Sequence, residues 1–382
     1  MLLTLPPPAV KCNPDPHLLR FLADLGLGFD CASAAEIQLV LGLGIDPSRI
    51  VFSHPCKAVS ALQMASSHGV MLAVFDNADE LDKIKSVSPG MRLLLRIYAH
   101  DDTARVSLGK KFGALPETTL PLLRKARALD LKVVGISFHI GTVTHSPRSP
   151  SPLRTPNDQC PPGSAASDPK AFATAARDAR RAFDQGKELG FDMAVLDVGG
   201  GFQDDNFEAM APSLQLAVDR EFPGQQVRVI AEPGRYYARS YYTLACKVIS
   251  RRKTAAHNDS SVPPAPDMLY QNDGIYGCFM NRVTEDEVFV PTLIPVDKAH
   301  GTPSRHQSKH FYSLWGRTCD SVDCVSDRAA LHCEALVGDW LKYPDMGGEY
   351  TPALMMRASN PRMHDLLTRR VGSILGGIRD VF

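Results

Sequence analysis

The chain has 382 residues, enough for two domains with sizeable cores, and its 42 Lys and Arg are balanced by 42 Asp and Glu. Such a balance offers no basic face to nucleic acid, and no apolar run is long enough to span a bilayer. Nine scattered cysteines, odd in number and without zinc-type spacing, predict reduced thiols and no metal site, and Met1–Leu5 is too short for a signal peptide, so the expected compartment is the cytoplasm.

The first predicted element is a short buried strand, Ala9–Asn13, closed off by Pro14-Asp15-Pro16 and followed by a helix over His17–Leu25. Its single lysine, Lys11, has apolar neighbours. Burying an ammonium is costly, so Lys11 snorkels to solvent, pairs with an acid, or serves in neutral form as a nucleophile. Seven more strand-like segments follow: Gly28–Ala32, Ile50–Ser53, Met71–Phe75, Arg92–Ile97, Val133–His139, Met193–Val198 and Val227–Glu232. Their near-continuous apolar character suits parallel strands covered on both faces. Amphipathic helices are predicted over Ala34–Gly42, Ala58–Ser67, Asp79–Ser86, Pro116–Leu129, Lys170–Leu189 and Phe207–Glu221. Eight βα units predict an α/β fold, a (β/α)8 TIM-type barrel over residues 9–242. A doubly wound open sheet is the alternative, and it lacks a GxGxxG after the first strand.

Two stretches break that rhythm. Thr142–Gly163, rich in Pro, Ser and Arg, has no periodicity and reads as an irregular insertion just after His139. Beyond Tyr242 the strand signals crowd together at Thr243–Ser250, Met268–Gln271, Glu287–Ile294, Phe311–Leu314 and Ala335–Gly338, which predicts a C-terminal β domain over 243–382.

Polar residues collect where a barrel keeps its catalytic rim. Lys11, Asp30, Arg96, His139, Gly199-Gly200-Gly201 and Glu232-Pro233-Gly234-Arg235 all fall at C-terminal ends of predicted strands. The three glycines make either a tight βα turn or a close-approach cradle for an anion. Glu232 and Arg235 are either a structural pair or a partner for a pyridine-type nitrogen beside a guanidinium for phosphate. A lone His139 is ordinarily a satisfied core residue. Trp315–Asp323 sets the thiol of Cys319 beside Asp320 in a glycine-containing loop, where an inert buried thiol is the ordinary alternative.

Taken together, AVKCNPDP, FDNADEL, KFGA, GISFHIG, LDVGGGF, IAEPGRYY, NDGIYG and WGRTCDSVDCV carry a specific resemblance. The chain resembles the eukaryotic, fungal-like ornithine decarboxylases, pyridoxal-phosphate enzymes that join an alanine-racemase-like barrel to a β domain (fold type III). The resemblance implies that Lys11 carries pyridoxal 5'-phosphate covalently, that His139 stacks on its ring and that Glu232 pairs with the ring nitrogen. It implies a supporting shell of Asp30, Glu36 and Arg96, and a phosphate site of Gly200, Gly201, Gly234, Arg235, Tyr350 and the hydroxyl of Ser164. Cys319 would return a proton to the substrate carbon, and Asp320, Glu285 and Tyr276 would bind the substrate. Lys111 and Asp323 would form an ion pair across a homodimer whose active sites are shared. The implied activity is decarboxylation of L-ornithine to putrescine in polyamine biosynthesis, or of a related basic amino acid. A decarboxylase of a modified amino acid and a non-catalytic regulatory paralogue are the alternatives. Joint retention of Lys11, His139, Glu232, Arg235, Cys319 and Asp320 disfavours the second. Partners are then the amino-acid substrate, a second copy of the chain and a regulatory protein, with neither nucleic acid nor membrane.

Several positions depart from the family pattern. The chain begins at the first barrel strand, without the family's preceding segment; Arg317 replaces a proline, Glu285 an aspartate, and Ser359-Asn360-Pro361-Arg362 an aromatic-containing strand. Removing 142–163 on paper joins Gly141 to Ser164 and restores the family's His-x-Gly-Ser loop, as expected of a translated intron or late insertion. Closing a longer loop costs only about 0.6 kcal/mol per doubling. A phosphate cradle depends instead on donors held in place. Deleting residues 142–163 is therefore expected to tighten pyridoxal-phosphate binding and raise activity, measured by cofactor titration and turnover. Equal values in both proteins would show that the insertion is accommodated, with Thr142 supplying the hydroxyl.

Overall fold

A computed structural model describes residues 9–99, 111–140, 169–204, 206–224, 227–254, 265–296 and 307–348. The chain divides into two units, with the change between Ala238 and Arg239. In the first, seven strands pair in parallel and in chain order: β1 (Phe29–Cys31), β2 (Ile50–Phe52), β3 (Leu72–Phe75), β4 (Arg92–Arg96), β5 (Lys132–Ser137), β6 (Val195–Asp197) and β7 (Arg228–Ile230). Helices alternate with them: α1 (Pro16–Asp24), α2 (Ala34–Gly42), α3 (Val59–Ser67), α4 (Ala78–Val87), α5 (Pro116–Ala128), α6 (Pro169–Glu188), α7 (Phe207–Glu221) and the short α8 (Gly234–Ala238). Sequential parallel order with a helix after each strand is the arrangement of a (β/α)8 barrel. Helix starts follow local chemistry: Asp15, Ser33 and Asn77 each accept a bond from a first-turn N–H of α1, α2 and α4.

The expected first strand is not one. Val10–Cys12 forms a single 3-10 turn, closed by Cys12 N donating to Ala9 O at 3.0 Å, and only Ala9 makes a bridge, to Asp30. Pro14 and Pro16 follow at once and deny a ladder two of its donors. This turn still closes the ring. Beyond β7, Gly234 lies so close to it that a Cβ there would stand 2.8 Å from Cys12 Cβ and 3.2 Å from Ala9 Cβ.

A buried ion pair that the sequence did not advertise braces one side of the barrel. Lys57, 3 % exposed, donates to Val74 O at 2.6 Å and pairs with Glu80 at 2.9 Å, and Lys83 reaches Glu80 as well. The pair ties the loop after β2 to β3 and α4. Burial lowers the Lys57 pKa, and the Glu80 carboxylate opposes that shift.

The second unit is a six-stranded sheet in the order β10-β13-β8-β9-β11-β12. Its strands are β8 (Leu244–Arg252), β9 (Asp267–Gln271), β10 (Thr292–Ile294), β11 (Gln307–Trp315), β12 (Cys324–Cys333) and β13 (Trp340–Tyr343), with α9 at Asn281–Thr284. Only β9 and β11 run parallel. Its core includes Val248, Leu269, Phe279, Leu314 and Leu341. Ala335–Gly338, expected as a strand, is instead the turn between β12 and β13. Asp339 folds it by accepting from Leu336 N at 2.7 Å.

Candidate active site

Strand ends of the first unit bring an uneven set of charges together. Lys11, on the closing turn, donates to Asp30 at the end of β1 at 2.6 Å; the lysine side chain is 31 % exposed and the aspartate fully buried. The other Asp30 oxygen has no hydrogen-bond partner. Asp197, at the end of β6, is also fully buried; its Oδ1 accepts from Gly199 N at 2.9 Å, and its carboxyl shares a hydrogen bond with that of Glu232. Glu232, two residues beyond β7, is 7 % exposed and is joined to the same turn by Glu232 N donating to Gly199 O at 2.6 Å. Arg96 closes β4 with its guanidinium 5.4 Å from the centre of the Phe112 ring, against which His54 packs edge-on at 5.2 Å.

These surroundings set the protonation of the group. Burial first, then the charge of Asp30, pushes Asp197 up to about 7, against the pull of the Gly199 N–H. Burial, Asp30 and Asp197 push Glu232 well above the usual carboxylate range. Desolvation, then Arg96 and Lys11, holds His139 down at about 3, so its imidazole is neutral. Its Nδ1 lies 2.8 Å from Ile140 O; a carbonyl only accepts, so Nδ1 carries the hydrogen and Nε2 is bare. Glu36 accepts from Ala32 N at 2.7 Å and from Ser33 Oγ at 3.0 Å, and burial raises its pKa.

Across residues 4–149 and 159–239, more than half of the chain, the sequence matches the model of the pyridoxal-dependent decarboxylase pyridoxal binding domain. The chain belongs to the pyridoxal-dependent decarboxylases. It is 41 % identical over 343 residues to Decarboxylase flvG of Aspergillus flavus, covering 90 % of this chain and 75 % of that one. It is equally 41 % identical over 361 residues to an ornithine decarboxylase of Neurospora crassa, covering 89 % and 70 %. Among solved structures it is similar to the arginine decarboxylase of Paramecium bursaria Chlorella virus, with a TM-score of 0.76 and 34 % identity over 91 % of this chain and 84 % of that one.

The donor set fits the cofactor of this decarboxylase family. A part-exposed lysine is held by Asp30, the buried carboxyl groups of Asp197 and Glu232 share a hydrogen bond, and a neutral imidazole ring lies beside a glycine turn. A Cβ at Gly200 would stand 2.9 Å from His139 Nε2 and 2.9 Å from Glu232 O, so only glycine lets the turn come this near. Gly201 adjoins it, while Gly234 and Arg235 open α8 at the end of the next strand. Ser164, Tyr350 and the 142–163 segment lie outside the described residues.

The second unit holds another group. Cys319, Asp320 and Tyr276 are exposed, and the Tyr276 hydroxyl donates to Asp320 Oδ2. That bond lowers the Asp320 pKa and raises that of Tyr276. Glu285 sits at the C-terminus of α9, half-buried. Asp323 is 1 % exposed, with both oxygens bound to donors of its own unit. Sequence reasoning missed Asp197 and Lys57. The available signals were a carboxylate two residues before the glycine triplet and a lysine in the loop after a strand.

The raised pKa of Asp197 has a consequence for the apoprotein. A carboxyl whose folded pKa is raised contributes stability that is full below about 3.8 and is lost as pH rises through about 7. His139 contributes the opposite slope, and this cancels when variants of the same chain are compared. The stability advantage of wild-type apoprotein over Asp197→Asn is therefore expected to shrink from pH 4 to pH 7, by at most about 1.4 kcal/mol per pH unit. Urea titration at several pH values measures it. An advantage that grows with pH would make Asp197 an ordinary ionised cap for Gly199.

Proposed function

We propose that the chain decarboxylates L-ornithine to putrescine, or a closely related basic amino acid, as a cytoplasmic homodimer whose subunits share active sites. The observation that carries the substrate reading is the exposed Asp320, held ionised by the Tyr276 hydroxyl next to Cys319. An ionised acid beside a thiol is a receptor for the distal ammonium of a diamino acid with a proton source at hand. Identity with the Neurospora crassa ornithine decarboxylase over most of the chain supports the same substrate. Free thiols at all eight described cysteines suit a reducing compartment.

When bound, pyridoxal phosphate supplies a carbonyl carbon for amines and a ring that takes up the electron pair left by departing carbon dioxide. The protein supplies the rest. Lys11 is the amine that holds the cofactor, kept in place by Asp30. Glu232 presents a carboxyl to the ring nitrogen, and the nearby charges of Asp30 and Asp197 favour a proton there. His139, neutral and tied to Ile140 O, offers a flat face for the ring. Arg96 supports this group through its packing on Phe112, and the glycine turn with Gly234 and Arg235 provides N–H groups and a guanidinium for phosphate, with Ser164 and Tyr350 completing the set. The thiol of the partner subunit's Cys319 holds the proton that returns to the substrate carbon. Glu285 and Tyr276 line the far end of the substrate.

Glu285 favours a second reading, in which the preferred amino acid has a different side-chain length. One methylene in a pocket is worth about 1–3 kcal/mol of discrimination. Carbon dioxide release from ornithine and its shorter and longer homologues, by wild type and Glu285→Asp, tests both readings. Ornithine is expected to be decarboxylated, with a preference among homologues that shifts in the variant. No release from any of them would overturn the proposal. Shared sites are tested by mixing Lys11→Ala and Cys319→Ala subunits, each nearly inactive alone; exchange is expected to restore activity, and none recovered would place the site within one chain.

A further inference from the structure

The loop Gly316–Asp323 leaves β11, carries Cys319 and Asp320, and enters β12. Most of it is exposed, yet its last residue, Asp323, is 1 % exposed. A buried carboxylate is costly unless donors surround it, and here they do. Oδ1 accepts from Ile275 N at 2.9 Å, and Oδ2 accepts from Thr318 N at 3.1 Å and Thr318 Oγ1 at 2.6 Å. The backbone closes the same loop: Gly316 N donates to Asp323 O at 2.8 Å and Asp323 N to Asp320 O at 3.1 Å. One carboxylate thus joins the loop to itself and to the Asp273–Tyr276 turn. Asp273 fixes that turn by accepting from Gly274 N at 2.8 Å and Cys278 N at 3.3 Å.

Two glycines make room for the carboxylate. A Cβ at Gly274 would fall 2.1 Å from Asp323 Oδ1, and one at Gly316 would fall 2.2 Å from it. Tyr276, on the tied turn, reaches over to Asp320, on the tied loop. The thiol, the acid and the phenol therefore stand on one platform with Asp323 at its centre.

We propose that Asp323 is a positioning residue that sets the places of Cys319, Asp320 and Tyr276 from within their own subunit, and that this clamp contributes to the reaction. The inference rests on the reading that Cys319 and Asp320 act on the substrate. Neither group is bonded to Asp323 through its side chain, so a fault in the clamp shows as misplacement. A shift of about 1 Å in a reacting group can cost about 100-fold in rate.

The test compares Thr318→Val, Gly316→Ala and Asp323→Asn with wild type, all as holoenzyme. Thr318→Val keeps the shape and removes one hydroxyl donor, while Gly316→Ala leaves every donor and pushes a methyl onto the carboxylate. The readouts are kcat and KM for ornithine, the alkylation rate of Cys319 by iodoacetamide located by peptide mass mapping, and cofactor absorbance. Thr318→Val and Gly316→Ala are expected to lose about 10- to 100-fold in kcat and to change the Cys319 alkylation rate several-fold, with cofactor absorbance retained. Asp323→Asn should do the same. Wild-type alkylation and turnover in Thr318→Val and Asp323→Asn would overturn the clamp. Should wild type not decarboxylate ornithine, the substrate reading falls, and the alkylation rates alone decide the clamp.

Discussion

Three carboxyl groups in dry surroundings, Asp30, Asp197 and Glu232, are what the rest of the site answers to. Two cations face them, Lys11 and Arg96, and His139 remains neutral. Several like charges cannot all ionise in a low-dielectric pocket, so the cluster retains a proton. The fold delivers this composition cheaply in sequence terms, since the carboxyl groups, Arg96 and His139 lie at or just past the ends of different strands and parallel strands carry their C-terminal ends to one rim. A basic ring nitrogen with a linked phosphate is the complement of such a site: on the proposed reading the retained proton would serve the nitrogen, and the glycine turn and Arg235 the anion. The buried Lys57–Glu80 pair contributes indirectly by fixing the loop that carries His54 against Phe112.

The two units divide the chemistry. The barrel supplies the lysine, the acids and the imidazole in enclosed positions, where preorganisation is strongest. The β unit supplies a thiol, an acid and a phenol that face outward. Outward-facing groups of this kind gain function when another surface meets them, which would be the physical sense of the shared site proposed above. Their rigidity then has to come from below, and Asp323 with its two close glycines provides it.

Much of this was legible in the sequence, for identifiable reasons. α2 and α7 fall where apolar periodicity placed them, Ala34–Gly42 and Phe207–Glu221, because their hydrophobic spacing survives into packing. Asp30, His139 and Glu232 could be placed at the rim because strand ends in a parallel fold are predictable positions. The first strand could not. AVKCN has strand-like residues, but the proline-rich sequence that follows leaves room for one bridge and a turn. Ala335–Gly338 is apolar for a different reason: Ala335 is fully buried, while Leu336 and Val337 lie exposed on a turn. Lys57 and Asp197 were missed together. Each is an ionisable residue whose buried partner, Glu80 or Glu232, lies far away in sequence, and no local pattern announces such a partner.

The whole reading depends on Lys11 being the lysine that holds the cofactor, and borohydride reduction tests this most directly. Purified protein loaded with pyridoxal phosphate would be reduced, digested and mapped by mass spectrometry. A pyridoxyl adduct on the peptide containing Lys11, absent from Lys11→Ala, is the predicted result. An adduct confined to another lysine, Lys57 included, or no adduct in protein that decarboxylates its substrate, would contradict it.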